Sequence, residues 1–384
     1  MKVIISVGGR FHLFYLAQQL LKRGYLQQLI TSYPRFEVLK YDIPKEKVSS
    51  IIVKEFMQRG WDQLPSFLKH MYNPHFFINE SFDKLALRHI QEADIFVGLS
   101  SFSLHSLRKA KKSGMITILE RGSSHILYQL DILKEEFEKF GLKFHVTHPK
   151  IIEKELKEYE EADYITVPSL FAKRSFIDKG VNESKLIHVP YGVNLTEFRQ
   201  VPKGDNIFRV IFAGSLSLQK GVQYLLKAFY DLKLPKSELL LIGNLTDEIK
   251  PFLKKYRGYY QWVGSKKQKD LYKYYSQGSV FVMPSIQEGL ALVQLQAMSC
   301  GLPLICTTNS GGEDLIENGK EGFVVPIRDS KGLKEKILFF YDNPDKRVGM
   351  GQAACKKIQV GFSWDDYGEK IISNYKDILS KKWT

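Results

Sequence analysis

The chain predicts an α/β protein made of two Rossmann-like domains facing across a cleft. Three observations carry this prediction. Its 384 residues exceed a typical domain of about 100–200 and suit two full cores. Apolar runs of strand length alternate with segments of helical period almost throughout, the pattern of parallel sheets covered by helices. The alternation stops once, in the proline- and glycine-containing stretch "HVPYGVNLTEFRQVPKGDN" at 188–206, and then restarts. The expected domains are 1–190 and 207–363, with a linker at 191–206 and a final helix over 364–384 joining the first domain.

In order, "KVIISVGG" is a strand running through a glycine turn into "RFHLFYLAQQLLKRG", where Phe11, Phe14, Leu16, Leu20 and Leu21 mark a helix that ends at Gly24. The runs "LITSYP", "IIV", "DIFVGLS", "MITILE" and "ADYITVPS" give further strands, separated by helices such as "SFSLHSLRKAKKSG" and "PKIIEKELKEYEEA". After the linker come strands in "FRVIFAGSL", "ELLLIGN", "YYQWVGS", "SVFVMPS", "PLICTT" and "EGFVVPI", continuously apolar as buried parallel strands are. Helices are expected over "KGVQYLLKAFYDL", near "KDLYKYYSQG" and after "PSIQEG". Trp364, Tyr367, Ile371, Ile372, Tyr375 and Ile378 recur at helical spacing at the end of the chain.

Composition narrows the class. Hydrophobic residues at 44% and charged ones at 26% describe a soluble globular chain. Three cysteines, Cys300, Cys306 and Cys355, with no CxxC pair, form neither a disulfide framework nor a zinc site, so a reducing cytoplasm is expected. No signal peptide is expected, because the first apolar run breaks at Gly8 and Gly9, and no run reaches the roughly 18–20 apolar residues of a membrane span. The net charge of +14 implies an anionic partner. Nucleic acid would rest on that charge alone and is not expected.

Ligands of doubly wound sheets sit beyond the carboxyl ends of the strands. Three such turns in the second domain carry small residues: Gly214 and Ser215 with Lys220 nearby, Gly289 to Leu292 in "EGLAL", and Ser310, Gly311 and Gly312. Exposed amides and a helix dipole bind phosphate, and a lysine adds charge. Glu288 among such donors would repel a phosphate unless it faced sugar hydroxyls. At about 1.5 Å of rise per residue, Gln296 would lie roughly 12 Å further on, the reach of an extended nucleotide sugar. Val263 completes the expected donor-binding set.

These motifs, "GSLSLQKG", "VFVMPSIQEGLALVQLQAM", "CGLPLI" and "SGGEDLIENGKEGFVV", resemble the GT-B glycosyltransferases of family 4, as do "PYGVN" and the tryptophan-containing final helix. The resemblance implies transfer of a sugar from a nucleotide-sugar donor with retention, UDP-sugar before GDP-sugar, and no cofactor. Lys220 would hold the diphosphate, Glu288 the donor sugar, and the amides from Gly289 through Leu290, Ala291 and Leu292 the phosphates. The family has an arginine where Ser215 stands and a second glutamate where Gln296 stands, which leaves Lys266 or Lys267 to compensate for lost charge. The departing phosphate can take the acceptor proton, so no enzyme base is required.

The first domain would face a saccharide or lipid-linked acceptor. Gly8, Gly9 and Arg10 stand at its glycine turn, and Arg121, Ser123, Ser124 and His125 follow a strand, with His125 expected near the reacting sugar and His12 a lesser candidate. No DxD motif is present for a metal. The basic and aromatic segment 54–77, with Phe56, Met57, Trp61, Phe67, Leu68, Met71, Phe76 and Phe77, reads either as ordinary helix packing with a basic outer face or as an acceptor-side or membrane-surface patch, the latter suiting peripheral contact with an anionic membrane at the inner face of the cell membrane. The competing class is a nucleotide- or carbohydrate-binding protein of the same fold with weakened catalysis. A dehydrogenase is disfavoured because "SVGGRFHLF" lacks GxGxxG.

Overall fold

A computed structural model describes residues 1–9, 12–64 and 73–382. Arg10, Phe11, Phe67, Leu68 and Met71 lie outside them. Among the described residues two parallel sheets stand in succession. The first contains β1 (Val3–Val7), β2 (Leu26–Thr31), β3 (Val48–Ser50), β4 (Ile95–Leu99), β5 (Ile116–Glu120), β6 (Tyr164–Val167) and β7 (Leu186–His188) in the order β3-β2-β1-β4-β5-β6-β7. The second contains β8 (Phe208–Ala213), β9 (Ser237–Ile242), β10 (Gln261–Trp262), β11 (Val280–Met283), β12 (Leu304–Thr307) and β13 (Gly322–Val325) in the order β10-β9-β8-β11-β12-β13. Both sheets reverse direction beside their first strand, between β1 and β4 and between β8 and β11. Such reversals open a crevice at the strands' carboxyl ends.

The strands form where apolar runs allow burial on both faces. β1, β4 and β5 are buried at every residue, and so are β8, β11 and β12. Helices cover them through apolar stripes, as in Leu13–Lys22, which buries Leu13, Phe14, Leu16, Ala17 and Leu20. Several elements differ from the sequence expectation. The "IIV" run is not a strand: β3 precedes it, and Ile52 caps a helix over Val53–Asp62 that buries none of its residues. β7, which the apolar runs do not predict, ends at His188, where the proline-containing stretch begins. The helix Ile126–Lys139 begins at His125, a residue type outside the usual capping set, so its start carries no sequence signal.

The final helix, Trp364–Lys382, crosses back to the first domain. Trp364 stacks on Tyr15 with ring centroids 4.0 Å apart, and Lys22 pairs with Asp365 at 2.9 Å. Ile371, Ile372 and Ile378 are buried there, each contributing roughly 1.5–3 kcal/mol of hydrophobic burial. Where the chain crosses in both directions the two segments touch, the Val193 amide donating to the Phe362 carbonyl at 2.8 Å. No helix among the described residues is long and apolar enough to cross a membrane.

Candidate active site

A cleft of about 760 Å³ lies between the sheets. The second domain supplies Gly214 and Ser215 after β8, Lys220 in the following loop, and Glu288, Leu290, Ala291, Leu292 and Gln296 after β11. The first supplies His12 after β1, Ser100, Ser101 and Phe102 after β4, and Glu120, Arg121 and Ser123 at the end of β5. Most of the expected donor residues are thus brought together. Their local geometry follows from close backbone contacts. Gly221 has φ +67° and lies so near the Pro284 carbonyl that a Cβ would stand 1.9 Å from it, which only glycine tolerates. That contact draws the Lys220 loop onto the turn after β11.

Lys220 and Glu288 meet there as an ion pair at the mouth of the helix Leu292–Ser299. Burial pushes the Lys220 ammonium down to about 8, and Glu288 is the anion opposing that loss of charge. The helix N-cap is Ala291, whose side chain cannot accept a hydrogen bond, so the first amides of the helix keep donor capacity toward the cleft. Because the helix begins only at Leu292, the helical rise does not separate Glu288 from Gln296 by the expected eight residues. Gln296 lines the cleft with its Oε1 accepting from the Tyr275 hydroxyl at 3.3 Å. Gly289 is turned to the first domain, its carbonyl accepting from Ser169 Oγ at 2.7 Å.

Four expectations need correction. Val263 lies outside the cleft, beside Gln261 and Lys273 near the edge strand β10. The turn at Ser310, Gly311 and Gly312 is internal: Ser310 is fully buried, donates to the Thr307 carbonyl at 2.8 Å, and leads only into a short 3₁₀ turn. Lys266 sits over the Tyr274 ring and Lys267 lines a neighbouring groove, so neither replaces charge at Ser215. His125 does not reach the cleft. It is 3% exposed, packs between Tyr159 and Phe176, and caps its helix by accepting from the Leu127 amide through Nδ1 at 3.2 Å. On the acceptor side, Gly8 packs under Phe102 and the Gly9 carbonyl accepts from Thr31.

The His125 geometry has a measurable consequence. Burial, with Arg121 nearby, lowers its titration from 6.5 to about 4, since a capping Nδ1 must stay unprotonated. The unfolded chain therefore binds the proton first as pH falls. The stabilisation is complete above pH 6.5, shrinks as pH falls below it, and is gone below about 4, a loss of roughly 3 kcal/mol. Urea midpoints should fall between pH 7 and 4.5 more in the wild type than in His125→Asn, which keeps a capping acceptor but does not titrate. Equal falls would remove the assignment.

Features without a sequence signal also hold the cleft. Gln287, fully buried, donates from Nε2 to Ser123 Oγ and Ser124 Oγ, both at 2.8 Å, while its Oε1 accepts from Gln219 at 2.9 Å. This amide pins the two domains together beside Glu288. Arg121 is held by Glu155 at 3.0 Å and by Gln129 at 3.0 Å, so its charge is already matched. Away from the cleft, Glu80, Asp83 and His105 cluster closely, and the Lys154 ammonium sits against the two carboxylates at 2.9 and 2.8 Å.

Two doubly wound parallel sheets facing each other across a cleft make up the GT-B fold. Residues 194–357 match the family model of glycosyl transferases group 1. A probable sucrose-phosphate synthase of Thermosipho melanesiensis is 25% identical over 350 residues, covering 85% of this chain and 76% of that protein. Among solved structures, the sucrose-phosphate synthase of Thermosynechococcus elongatus superposes with a TM-score of 0.75 at 18% identity, covering 99% of this chain and 100% of the other. Anabaena Alr3699/HepE in complex with UDP-glucose gives 0.70 at 14% identity, with 98% and 100% covered.

Proposed function

We propose that this protein is a family 4 hexosyltransferase that moves a sugar with retention from a nucleotide-sugar, a UDP-sugar before a GDP-sugar, to a saccharide or lipid-linked acceptor in cell-envelope glycolipid or polysaccharide synthesis. The observation that carries the reading is the Lys220–Glu288 pair at the uncapped helix N-terminus. When a diphosphate enters, Lys220 and the amides near Leu292 supply positive potential where charge develops on the leaving group, without requiring a metal ion. Glu288, released from Lys220, is then an acceptor for donor-sugar hydroxyls. The UDP-glucose complex of Alr3699/HepE supports the choice of donor.

The experiment is nucleotide release from a panel of UDP-, GDP- and ADP-sugars, with and without magnesium and acceptors, alongside thermal shift. Release that depends on acceptor supports transfer. Thermal stabilisation by nucleotide with no release from any donor would instead favour a binding protein, a reading that the occupied Gln296 Oε1 and the uncharged Ser215 keep in view.

Peripheral membrane contact is part of the same proposal. The helix Val53–Asp62 leaves Val53, Phe56 and Met57 exposed, Phe56 at 70%, with Arg59 exposed on the same helix and Arg35 and Lys45 exposed earlier in the chain. Bases flanking an apolar helix face match an anionic lipid surface. Binding to phosphatidylglycerol vesicles is expected at low salt and should weaken in Phe56→Ser. Indifference to such vesicles would end the assignment.

A further inference from the structure

The two domains treat the equivalent helix terminus in opposite ways. β4 stands beside β1 as β11 stands beside β8, and a helix follows each at the crevice. In the second domain the first amides of Leu292–Ser299 keep donor capacity toward the cleft. In the first domain the helix Leu104–Lys112 has its leading amides taken from inside. Ser101 and Ser103 donate theirs to Glu158 at 2.6 and 2.7 Å, and His105 and Ser106 donate theirs to Asp83, both at 3.0 Å. Asp83 and Glu158 are fully buried. A terminus of the kind that binds an anion is thus already filled by the domain's own carboxyl groups.

The helix that carries Glu158, Pro149–Glu161, also spends the cation of this wall. Among the described residues Arg121 is the one arginine or lysine that the first domain brings to the cleft. Glu155, 2% exposed, pairs with it at 3.0 Å, and Arg121 donates further to the Ser124 carbonyl at 3.1 Å and to Gln129 at 3.0 Å. The two hydroxyls beside it are oriented by the same network. Ser101 Oγ donates to Glu155 and Ser123 Oγ to Gln129, so each has its hydrogen engaged and keeps lone pairs. Lone pairs accept from a neutral hydroxyl and repel an anion. Glu120, 1% exposed, adds a buried carboxylate at the cleft, its Oε2 facing His12 at 3.0 Å and its Oε1 meeting no hydrogen-bond partner. Ser101 holds φ +74°, a left-handed conformation uncommon outside glycine, and its bonds to Glu155 and Glu158 fix it there, with the Phe102 ring next in the loop.

We propose that the acceptor sugar reacting in this cleft is uncharged, with its ring against Phe102 and its hydroxyls donating to Ser101 and Ser123, and that Glu155 sets this preference by cancelling Arg121. The inference rests on the transferase reading above and narrows its acceptor. A ring hydroxyl finds acceptors on this wall, and an apolar sugar face finds an aromatic one. A phosphate or carboxylate on the same ring would meet Glu120, a guanidinium already paired, and a helix terminus already occupied. The phosphates of a lipid carrier would therefore lie outside the cleft, with only the neutral sugar end inside.

The test uses the full chain with saturating UDP-sugar and measures UDP release with glucose, mannose, galactose, fructose and N-acetylglucosamine, each beside its 6-phosphate, and with galactose beside galacturonate. UDP binding is followed by calorimetry in parallel. The wild type should favour the neutral member of a pair by at least about tenfold in kcat/KM, the scale of one charged hydrogen bond, and the 6-phosphate should not compete with its neutral partner. Glu155→Gln keeps the shape and frees Arg121, so it should raise kcat/KM for the 6-phosphates by about tenfold with UDP affinity within about twofold of wild type. Adding Arg121→Gln to that variant should remove the gain. Phe102→Leu, which stays apolar but loses the flat ring, should raise KM for neutral acceptors about three- to tenfold. A wild type that prefers the 6-phosphates or galacturonate, or a folded Glu155→Gln that gains nothing on them, would overturn the proposal; should Glu155→Gln not fold, the competition measured on the wild type decides alone. A wild type that binds UDP but turns over no donor would instead overturn the transferase reading, and the inference with it.

Discussion

Glu288→Ala is expected to reduce transfer by about 10²–10³-fold, the scale of losing one group that acts on developing charge, while nucleotide affinity holds or rises slightly. The asymmetry follows from the ion pair. In the molecule without donor, Glu288 already occupies the Lys220 ammonium, so a diphosphate has to displace it. Removing the carboxylate removes a competitor for the phosphate and a partner for the sugar together. Lys220→Ala should damage both steps, weakening UDP binding by about ten- to a hundredfold, as for loss of a charge-assisted hydrogen bond. The pH dependence separates these roles. Burial holds Lys220 near 8, so it is charged below that value and neutral above. UDP affinity should be level below about pH 7 and fall as pH rises through 8. In Lys220→Arg that fall should vanish, because guanidinium does not lose its proton in this range. In Glu288→Ala it should start at lower pH, since no anion then holds the charge on. Calorimetric titrations between pH 6 and 9.5 would decide; full transfer activity in Glu288→Ala would refute its role.

Much of this site is legible in the chain because its donor half is built from consecutive residues. A strand, a small-residue turn and a helix start lie within Val280–Ser299, and local periodicity is enough to order them. The sheets are legible for the same reason, their strands being apolar on both faces. What escapes is whatever depends on a second segment. His125 and His12 look alike as histidines after strands, and only tertiary packing decides that the first turns inward to cap a helix while the second meets Glu120, 108 residues away. Ser310, Gly311 and Gly312 have the composition of a phosphate turn, yet Gln294 Nε2 donates to the Ser310 carbonyl at 2.9 Å, and that backbone is spent inside the domain. Gln287 reads as a neutral neighbour of Glu288, because its partners Ser123 and Ser124 belong to the other domain. The missed helix over Ser330–Asp342 has a different cause, since its cap, Asp329, lies in a polar stretch that offers no contrast.

Gly289→Ala should leave both domains folded and still lower transfer by about 10²-fold. Gly289 does not have a positive φ, so its own backbone accepts alanine. The obstacle is the opposite domain: an added Cβ would stand 2.0 Å from the Gly122 carbonyl oxygen and 3.0 Å from Ser123 Cα, backbone atoms that have no rotamer by which to yield. Relief requires the two domains to separate here by more than an ångström, and this contact adjoins Glu288 on one side and the Arg121–Ser123 loop on the other. Misplacing reacting groups by about 1 Å is worth about 10²-fold in rate. Nucleotide binding, proposed for the second domain, should survive, and Tm should move by no more than about 2–4 °C, the shift for about 1 kcal/mol in a domain of this size. Gln287→Ala is the complementary change. It removes the pins to Ser123 and Ser124 without adding bulk, so it should loosen closure and cost less than the alanine at 289. Solution scattering with saturating UDP would show Gly289→Ala remaining more extended than wild type, and wild-type turnover in that variant would mean that the contact between 289 and 122 has no part in the active geometry.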